Sequence, residues 1–185
     1  VTLVSGPVSL QAPHGVDVVN VRSAQEMFRA VQDAFANADI TIMAAAVGDF
    51  RPAERSAEKI KKNGRERITL ELVSNPDILA WAGANKRDGQ TLCGFAMETQ
   101  DLEGNAAKKL ASKHCDMLVA NDLRTPGAGS ADTNVVTVLR PGSIPERPHI
   151  EHWQKMSKRN LAERMLTELA GLHVDVAGER GSQES

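Results

Sequence analysis

An uncharged run, ITIMAAAV at Ile40–Val47, constrains the fold of this chain more than any other feature. A short apolar run of this kind is typical of a strand buried inside a parallel sheet, and we predict a strand over Asp39–Val47. A β-branched run at Val16–Val21 precedes it. Between the two lies a helix that opens with a capping box at Ser23–Glu26, in which the glutamate reaches back to the serine amide. Strand, helix and strand in this order predict a parallel sheet.

The alternation of strands and helices continues along the chain. Buried strands are predicted at Thr91–Ala96 and Asp116–Ala120, with a helix over Asp101–Lys113 between them. The alternating segment Arg67–Val73 is typical of an exposed or antiparallel strand. The predicted fold class is therefore α/β: a Rossmann-like parallel sheet flanked by helices, with an additional small antiparallel strand region. The residues expected to face inward on the helix are Leu102, Ala106, Leu110 and Ala111.

Toward the carboxyl end the pattern weakens. A strand over Thr133–Leu139 is predicted, preceded by a flexible loop at Arg124–Thr133 and followed by a turn at Arg140–Ser143. Ser157 is expected to cap a last amphipathic helix, whose pattern is lost from Gly171 onward. The residues expected to face inward on this helix are Leu161, Met165, Leu166 and Leu169.

The amino end also carries a prediction. Val1–Val4 is expected to be a strand, and an inner strand seldom opens a domain of this class. We therefore expect the sequence to be a fragment that lacks a preceding βα unit.

Composition argues against several classes of protein. A net charge of −2 and 3% aromatic residues, with no Tyr, argue against nucleic-acid binding. No apolar run approaches the ~20 residues that a membrane helix needs. Cys93 and Cys115 lie in apolar, strand-like settings and are predicted to be buried free thiols of a reducing compartment. A cytoplasmic protein without nucleic-acid or membrane partners is expected.

Charged residues follow the apolar strand directly. Asp49 lies in the turn Gly48–Pro52, and the lysine cluster Lys59–Lys62 comes soon after. Ligands in open α/β sheets bind beyond the carboxyl ends of the strands, where the small residues Ala44–Ala46 let a planar ligand approach. A carboxylate and ammonium groups there predict a phosphate-bearing ligand, with or without a divalent cation. A solvated charged face is the plainer alternative.

Three further features favour an anion site at the same edge of the sheet. Asn75 is predicted to be the N-cap of a helix with Pro76 in its first turn, and a helix start offers free amides. Lys109 and Lys113 share one helical face, and Phe95 lies at a second strand end where it can pack on a base. An ordinary capped helix and a solvated polar face are the plainer alternatives.

Common nucleotide and metal motifs are absent from the sequence. It contains neither G-x-G-x-x-G after a strand nor G-x-x-x-x-G-K-[ST], which disfavours a dinucleotide oxidoreductase and a P-loop NTPase. The five histidines show no metal-ligand spacing, so metal ligands stay unassigned.

Several stretches nevertheless occur in an order that is characteristic of one family: VTLVSGPVSL, AAAVGDFRP, EKIKK, NPDIL, GFAMET, the Lys109/Lys113 pair and VANDL. Together they resemble phosphopantothenoylcysteine synthetase of bacterial coenzyme A biosynthesis, over most of Val1–Asp122. The resemblance implies a ligase that joins 4′-phosphopantothenate to cysteine. An acyl-cytidylate is first made from CTP with release of pyrophosphate, and the cysteine amine then forms the amide.

The resemblance also implies partners and cofactors. It predicts Mg²⁺, a homodimer, and fusion behind a phosphopantothenoylcysteine decarboxylase domain in a multifunctional enzyme. FMN would belong to that decarboxylase and not to this chain. The family begins with a further strand and an N-x-S-S-G-K-M-G stretch that this sequence lacks. We therefore predict one N-terminally truncated, nucleotide-binding ligase domain over residues 1–172 and a flexible tail over 173–185.

Site residues follow from the same resemblance. Lys59 matches the lysine implicated in amide formation and is the predicted catalytic residue. The nucleotide-binding residues implied are Met43, Ala44, Ala45, Asp49, Lys59, Pro76, Asp77, Ile78, Leu79, Phe95, Lys109 and Lys113.

Two alternatives remain open at this point. A Rossmann-like NAD(P)-dependent oxidoreductase of the short-chain type would use a Tyr-x-x-x-Lys pair, which a chain without Tyr cannot supply. A catalytically silent nucleotide-binding domain would keep the lysine cluster without depending on Lys59 itself.

Overall fold

The computed structural model describes residues 1–62, 64, 66–98, 100–122, 132–144 and 147–181. Its helices are α1 Ala24–Phe35, α2 Ile78–Ala84, α3 Leu102–Ser112 and α4 Lys158–Gly181. Its strands are β1 Thr2–Ser5, β2 Asp17–Asn20, β3 Ile40–Met43, β4 Phe50–Pro52, β5 Leu72–Ser74, β6 Thr91–Glu98, β7 Met117–Asp122, β8 Thr133–Ile144 and β9 Arg147–Ser157. Within these ranges, each helix is too short or too polar to cross a membrane.

The predicted α/β class is confirmed, and the main sheet is mixed. Five strands form it in the order β3-β6-β7-β8-β9. The first three run parallel, whereas β8 and β9 are antiparallel to their neighbours. Strands β1 and β2 form a separate parallel pair, and β4 and β5 form the small antiparallel pair.

Contacts within the chain divide it into two compact units. The first unit comprises Val1–Val31 and Ala46–Asp77, and the second comprises Gln32–Ala45 and Ile78–Ser185. The first unit holds β1, β2, β4 and β5, and the second holds the five-stranded sheet. A single ligase domain over residues 1–172 stays a prediction.

The core of the second unit lies on both faces of its sheet. Because side chains alternate along a strand, Leu92 and Ala96 of β6 pack with α3 on one face. Cys93 of β6 points to the other face and packs with Trp153 and with Leu169 of α4. Strand β6 is therefore buried on both sides, as its uninterrupted apolar sequence predicts.

Strand β3 is shorter and more exposed than the predicted buried strand Asp39–Val47. It ends at Met43, Ile42 is 40% exposed, and Ala44–Ala46 are exposed. The physical reason is position, because β3 is an edge strand of the five-stranded sheet. The prediction that this run is buried was therefore wrong.

Two other strand boundaries also differ. Of the predicted strand Arg67–Val73, only the last two residues belong to β5, which pairs antiparallel with β4. The predicted turn at Arg140–Ser143 is wrong, because β8 continues to Ile144 across an irregularity in its pairing with β9. The predicted loop at Arg124–Thr133 lies almost entirely outside the described residues.

Two of the three predicted helix caps, Ser23 and Ser157, are confirmed, the first with a change of partner. The Ser23 hydroxyl accepts the Glu26 amide at 3.2 Å, but the Glu26 carboxylate accepts the amide of Arg22 instead of that of Ser23, at 2.6 Å. The Ser157 hydroxyl accepts the Asn160 amide at 3.1 Å at the start of α4. The capping box therefore closes one residue earlier than predicted.

The helices α3 and α4 show smaller departures. Ala111 and Leu166, predicted to face inward, are exposed. Helix α4 continues to Gly181, past the predicted loss of pattern at Gly171, and Leu172 packs against the core. The helix therefore continues beyond the residue at which its apolar periodicity ends.

Candidate functional site

Two of the predicted nucleotide residues lie side by side in the second unit. Met43 of β3 is the register partner of Gly94 in β6. Leu79 of α2 lies over the same glycine, since a Cβ there would come within 2.7 Å of the Leu79 Cδ2. Ala44 and Ala45 follow immediately and are exposed. The carboxyl end of β3 is therefore open beside a strand that has no side chain at this point.

Phe95 lies on the opposite face of the sheet. Its ring packs against the cluster that contains Trp153 and α4, whereas Met43 and Leu79 pack against the cluster on the α3 face. The structure thus separates the Phe95 ring from these two residues. A ligand beside Met43 and Leu79 could therefore contact Phe95 through its backbone but not through its ring.

Lys109 and Lys113 lie at the end of α3. Lys109 is in the last turn, Lys113 is the C-cap, and both are half-buried. Helix α3 connects the carboxyl end of β6 to the amino end of β7, so the backbones of these lysines lie away from the carboxyl edge. Gly83 of α2 packs here, with its Cβ position 1.8 Å from the Lys113 carbonyl oxygen. The expectation of one shared edge is not met for the lysine backbones.

In the first unit, Asp49 lies beside Asn75. The Asn75 backbone amide donates to the Asp49 carbonyl at 2.8 Å, and its side-chain amide donates to the Gly48 carbonyl at 2.7 Å. The Arg51 guanidinium donates to the Ser74 carbonyl and to the Asn75 Oδ1. Asn75 therefore closes the end of the antiparallel pair β4–β5 through its hydrogen bonds. The predicted N-cap role was wrong, because α2 begins only at Ile78, after Pro76 and Asp77.

Lys59 lies in the long connection between β4 and β5. The connection contains neither helix nor strand among its described residues, and Lys59, Lys61 and Lys62 are all exposed. Just before them, the Ser56 hydroxyl donates to the Glu58 carbonyl at 2.6 Å. This exposure fits both a substrate-facing segment and a solvated charged face.

Sequence reasoning missed a polar group at the carboxyl edge of the main sheet. Glu98 ends β6, and Asn105 of α3 donates to the Gln100 carbonyl at 2.9 Å and to Glu98 Oε2 at 3.4 Å. On β7, Asn121 accepts a hydrogen bond from Asn134 at 3.0 Å. Their position directly at strand ends, the signal that singled out Asp49, could have found Glu98 and Asn121.

The cysteines are confirmed as buried free thiols. Burial, together with the charge of Asp116, raises the pKa of Cys93 and of Cys115 to about 12. Asp116 is held by Lys86, whose Nζ lies 2.6 Å away, and by the Leu92 amide at 2.7 Å. With the thiols protonated near neutral pH, they offer neither a nucleophile nor a metal ligand.

No cluster of three or more His, Cys, Asp or Glu side chains that could hold a metal occurs in the described ranges. Mg²⁺ commonly binds through one or two carboxylates together with substrate phosphates. The single carboxylates of Asp49 and Glu98 fit a metal carried by a nucleotide better than a resident ion.

A parallel-stranded core with an open strand end and flanking helices is the arrangement in which α/β proteins bind ligands beyond the carboxyl ends of their strands. A family model described as the DNA/pantothenate metabolism flavoprotein C-terminal domain matches residues 1–172. The chain belongs to this family.

Relatives and solved structures agree with this assignment. The chain is 44% identical over 175 residues to the coenzyme A biosynthesis bifunctional protein CoaBC of Bacillus subtilis, covering 93% of the chain and 41% of the relative. It is 45% identical over 141 residues to a cysteine/cysteine sulfinic acid decarboxylase of an unknown prokaryotic organism, covering 75% and 39%. The chain thus spans about two-fifths of the length of these relatives.

Among solved structures, the C-terminal domain of a CoaBC protein superposes with a TM-score of 0.75 at 33% identity. The match covers 94% of this chain and 74% of that domain.

Proposed function

We propose that the chain is a phosphopantothenate–cysteine ligase that uses CTP in coenzyme A biosynthesis. The observation that carries the proposal is the 44% identity to a coenzyme A biosynthesis protein across 93% of the chain. The family match over residues 1–172 includes every candidate site residue. A nucleotide at the open end of β3 agrees with where ligands bind in such sheets.

The proposed reaction has two steps. A carboxylate oxygen of 4′-phosphopantothenate attacks the α-phosphorus of CTP, and pyrophosphate leaves with the electrons of the broken P–O bond. The cysteine nitrogen then attacks the acyl carbon of the acyl-cytidylate, and CMP leaves. Both steps develop negative charge on phosphate oxygens, which fixed ammonium groups stabilise.

Different residues of the chain serve different parts of this proposed reaction. The strand end at Met43–Ala45 reads the base through its backbone, and Asp49 holds the ribose or the metal. Lys109 and Lys113 stabilise phosphate charge, and Lys59 serves the amide-forming step. The remaining proposed nucleotide contacts are Pro76, Asp77, Ile78, Leu79 and Phe95.

The partners are proposed on the same basis. Asp49 would hold a Mg²⁺ ion that accompanies CTP, and the ion would supply charge that screens the phosphates. The protein acts in the cytoplasm as a homodimer, and a flavin-dependent decarboxylase in the same polypeptide provides the FMN chemistry. The CoaBC relatives, named as bifunctional, support this last point.

Calorimetric titration with CTP, ATP and NADPH, each with Mg²⁺, tests the proposal first. CTP should bind ahead of the other two, and addition of 4′-phosphopantothenate and cysteine should release pyrophosphate and yield the amide. Binding of NADPH without a response to CTP would replace the ligase with an oxidoreductase. Binding of CTP without pyrophosphate release would instead support a catalytically silent nucleotide-binding domain.

A further inference from the structure

One half-buried carboxylate has no cation beside it among the residues that the structure describes. Four acidic side chains are half-buried among the residues whose burial is described: Glu98, Asp116, Glu151 and Glu168. Lys86 lies 2.6 Å from Asp116, and the Arg140 guanidinium contacts both Glu151 and Glu168. Glu98 alone lacks a cationic partner within the described part of the chain. Its partner there is the neutral amide of Asn105, at the long distance of 3.4 Å.

This difference points to a cationic ligand for Glu98. A carboxylate that has lost part of its water shell is stabilised by a cation or by strong donors, and leaving it unpaired is unfavourable. Asn105 serves only in part, since it gives this carboxylate one long hydrogen bond of 3.4 Å, whereas an ionised carboxylate has about four acceptor sites. Glu98 therefore keeps acceptor capacity that a bound cation would use.

The location of Glu98 relates it to the proposed nucleotide site. Gly94, which Met43 and Leu79 flank, and Glu98 are four residues apart on β6, so their side-chain positions share one face. At about 3.3 Å per residue, Glu98 lies ~13 Å further toward the carboxyl edge. A ligand that continues beyond the nucleotide along this face reaches Glu98.

We propose that Glu98 binds the ammonium group of the incoming cysteine and accepts a proton from it. The proposal rests on the proposed ligase function and assigns its amine subsite. Cysteine arrives as an ammonium, and the Glu98 carboxylate takes one proton, which frees the nitrogen lone pair. The nitrogen forms a bond to the acyl carbon, the acyl C–O bond to CMP breaks, and CMP leaves with its electron pair. The second proton on nitrogen passes to water.

A metal ion fits this position less well than an ammonium group. One carboxylate and one amide are few ligands for Mg²⁺, and the described residues hold no cluster of metal-ligating side chains. An ammonium group needs only one carboxylate and a neighbouring acceptor. The Asn105 Oδ1 is such an acceptor, because its Nδ2 is the atom that contacts Glu98 and Gln100.

Comparison of Glu98→Gln with the matched control Glu103→Gln tests the proposal. Glu103 is an exposed carboxylate on the first turn of α3 in the same unit. Pyrophosphate release from CTP and 4′-phosphopantothenate is measured without cysteine. Amide formation is then measured with cysteine and, separately, with hydroxylamine, which is neutral at pH 7 and needs no ammonium subsite.

The expected result separates the two nucleophiles. Glu98→Gln should release pyrophosphate and form the hydroxamate within about twofold of the parent, as should Glu103→Gln. Its kcat/KM for cysteine should fall ~100-fold, in the range that proton transfer by a positioned side chain contributes. Glu98→Asp, which keeps the charge on a shorter stem, should recover part of that loss. The KM for CTP should not move.

Other outcomes would overturn the proposal. Equal loss of pyrophosphate release and of amide formation, or rescue by added Mg²⁺, would assign Glu98 to the nucleotide or its metal. Equal loss with cysteine and hydroxylamine would make its role structural. If the parent chain itself neither binds CTP nor releases pyrophosphate, the proposed function fails, and this proposal fails with it.

Discussion

The side-chain amide of Asn75 donates a hydrogen bond to the carbonyl oxygen of Gly48, with 2.7 Å between the two atoms. The backbone amide of Asn75 donates to the Asp49 carbonyl one residue further on, at 2.8 Å. Together these bonds close the end of the β4–β5 ladder. They hold the Asp49 turn against the segment that leads to Pro76 and Asp77.

Replacing Asn75 with alanine should loosen this turn. The variant loses the Gly48 bond and the Arg51 contact, and we expect a stability loss of about 1 kcal/mol, the usual net value of a hydrogen bond. CTP should bind more weakly, because Asp49 loses its support. Urea unfolding and calorimetry measure the two effects. Asn37→Ala, at an exposed position after α1, is the control, and an equal effect there would contradict the prediction.

Replacing Gly83 with alanine should destabilise the packing of α2 on α3. The new methyl group would lie 1.8 Å from the Lys113 carbonyl oxygen, so backbone must move. We expect a loss of about 1–3 kcal/mol despite the better helix propensity of alanine. Gly171→Ala in α4 meets no atom within 4 Å and should be neutral or stabilising. The midpoints of thermal unfolding of the two variants test this prediction. Equal midpoints would show that the close contact of Gly83 with Lys113 does not limit the size of the side chain there.

The two buried thiols should make stability fall at alkaline pH. Their pKa values are raised from the usual 9.0 to about 12, so between these limits the unfolded chain loses protons that the folded chain retains. Each thiol then lowers the free energy of unfolding by up to ~1.4 kcal/mol per pH unit. Below pH 9 both thiols are protonated in the folded and in the unfolded chain, so they do not make the free energy of unfolding depend on pH.

A series of urea titrations from pH 8 to pH 11 measures this slope. The double variant Cys93→Ala, Cys115→Ala should show a flatter profile, although it starts from lower stability. In the native parent, a thiol reagent at pH 8 should react only after denaturant is added. Rapid labelling of the folded protein would contradict the burial of these side chains.

Glu151→Gln should weaken the attachment of α4 to the hairpin β8–β9. A hydrogen bond from the Trp153 indole at 2.9 Å, aided by Arg140 and Arg164, lowers the pKa of this carboxyl. Its stabilisation is therefore present above the ordinary carboxyl range and lost as pH falls through it. Because the side chain is 41% exposed, solvent screening limits the effect at pH 7 to about 1 kcal/mol.

The free energy of unfolding of the parent and of the variants Glu151→Gln and Glu163→Gln is measured between pH 7 and pH 3. The parent should lose more stability on acidification than Glu151→Gln does. Glu163→Gln removes an exposed pair with Arg159 and should follow the parent throughout. Identical acid profiles for all three proteins would show that the Glu151 network contributes nothing measurable.

Lys59→Gln should separate nucleotide binding from amide formation. The residue is exposed and outside helices and strands, so its loss should leave the unfolding midpoint unchanged. Loss of its charge should slow the amide-forming step by about 10²-fold or more, the range seen for groups that stabilise developing charge. Lys62→Gln, three residues along, is the matched control. Equal rates for the two variants would favour a solvated lysine cluster instead.

Much of the fold was readable in the sequence because it depends on local patterns. The strands β6 and β7 and helix α3 fall within a few residues of their predicted bounds, since uninterrupted apolar runs and 3.6-residue periodicity act locally. Errors arose where a distant partner decides. The exposure of β3 depends on its position in the strand order, and the length of β8 depends on pairing with β9.

The candidate site divides in the same way. Sequence reasoning proposed Asp49, Met43 and Lys59 because strand ends and charge clusters are visible along the chain. It could not see that the Phe95 ring lies on the other face of the sheet from Met43 and Leu79. It also missed Glu98: the strand-end position of this residue could be inferred from the sequence, but the lack of a neighbouring cation among the described residues could not.

The sequence by itself determined the α/β class, the helix caps at Ser23 and Ser157, and the family, because each rests on residues close together in the chain. Only the tertiary structure decided that Asn75 holds the Gly48 turn by a hydrogen bond instead of capping a helix. It also decided that Glu98, alone among the four half-buried carboxylates of the described residues, lacks a cation there. The reason is physical. Burial, hydrogen-bond partners and charge pairing depend on contacts between residues that are far apart in the sequence. Local propensity depends only on neighbouring residues and therefore does not predict those contacts.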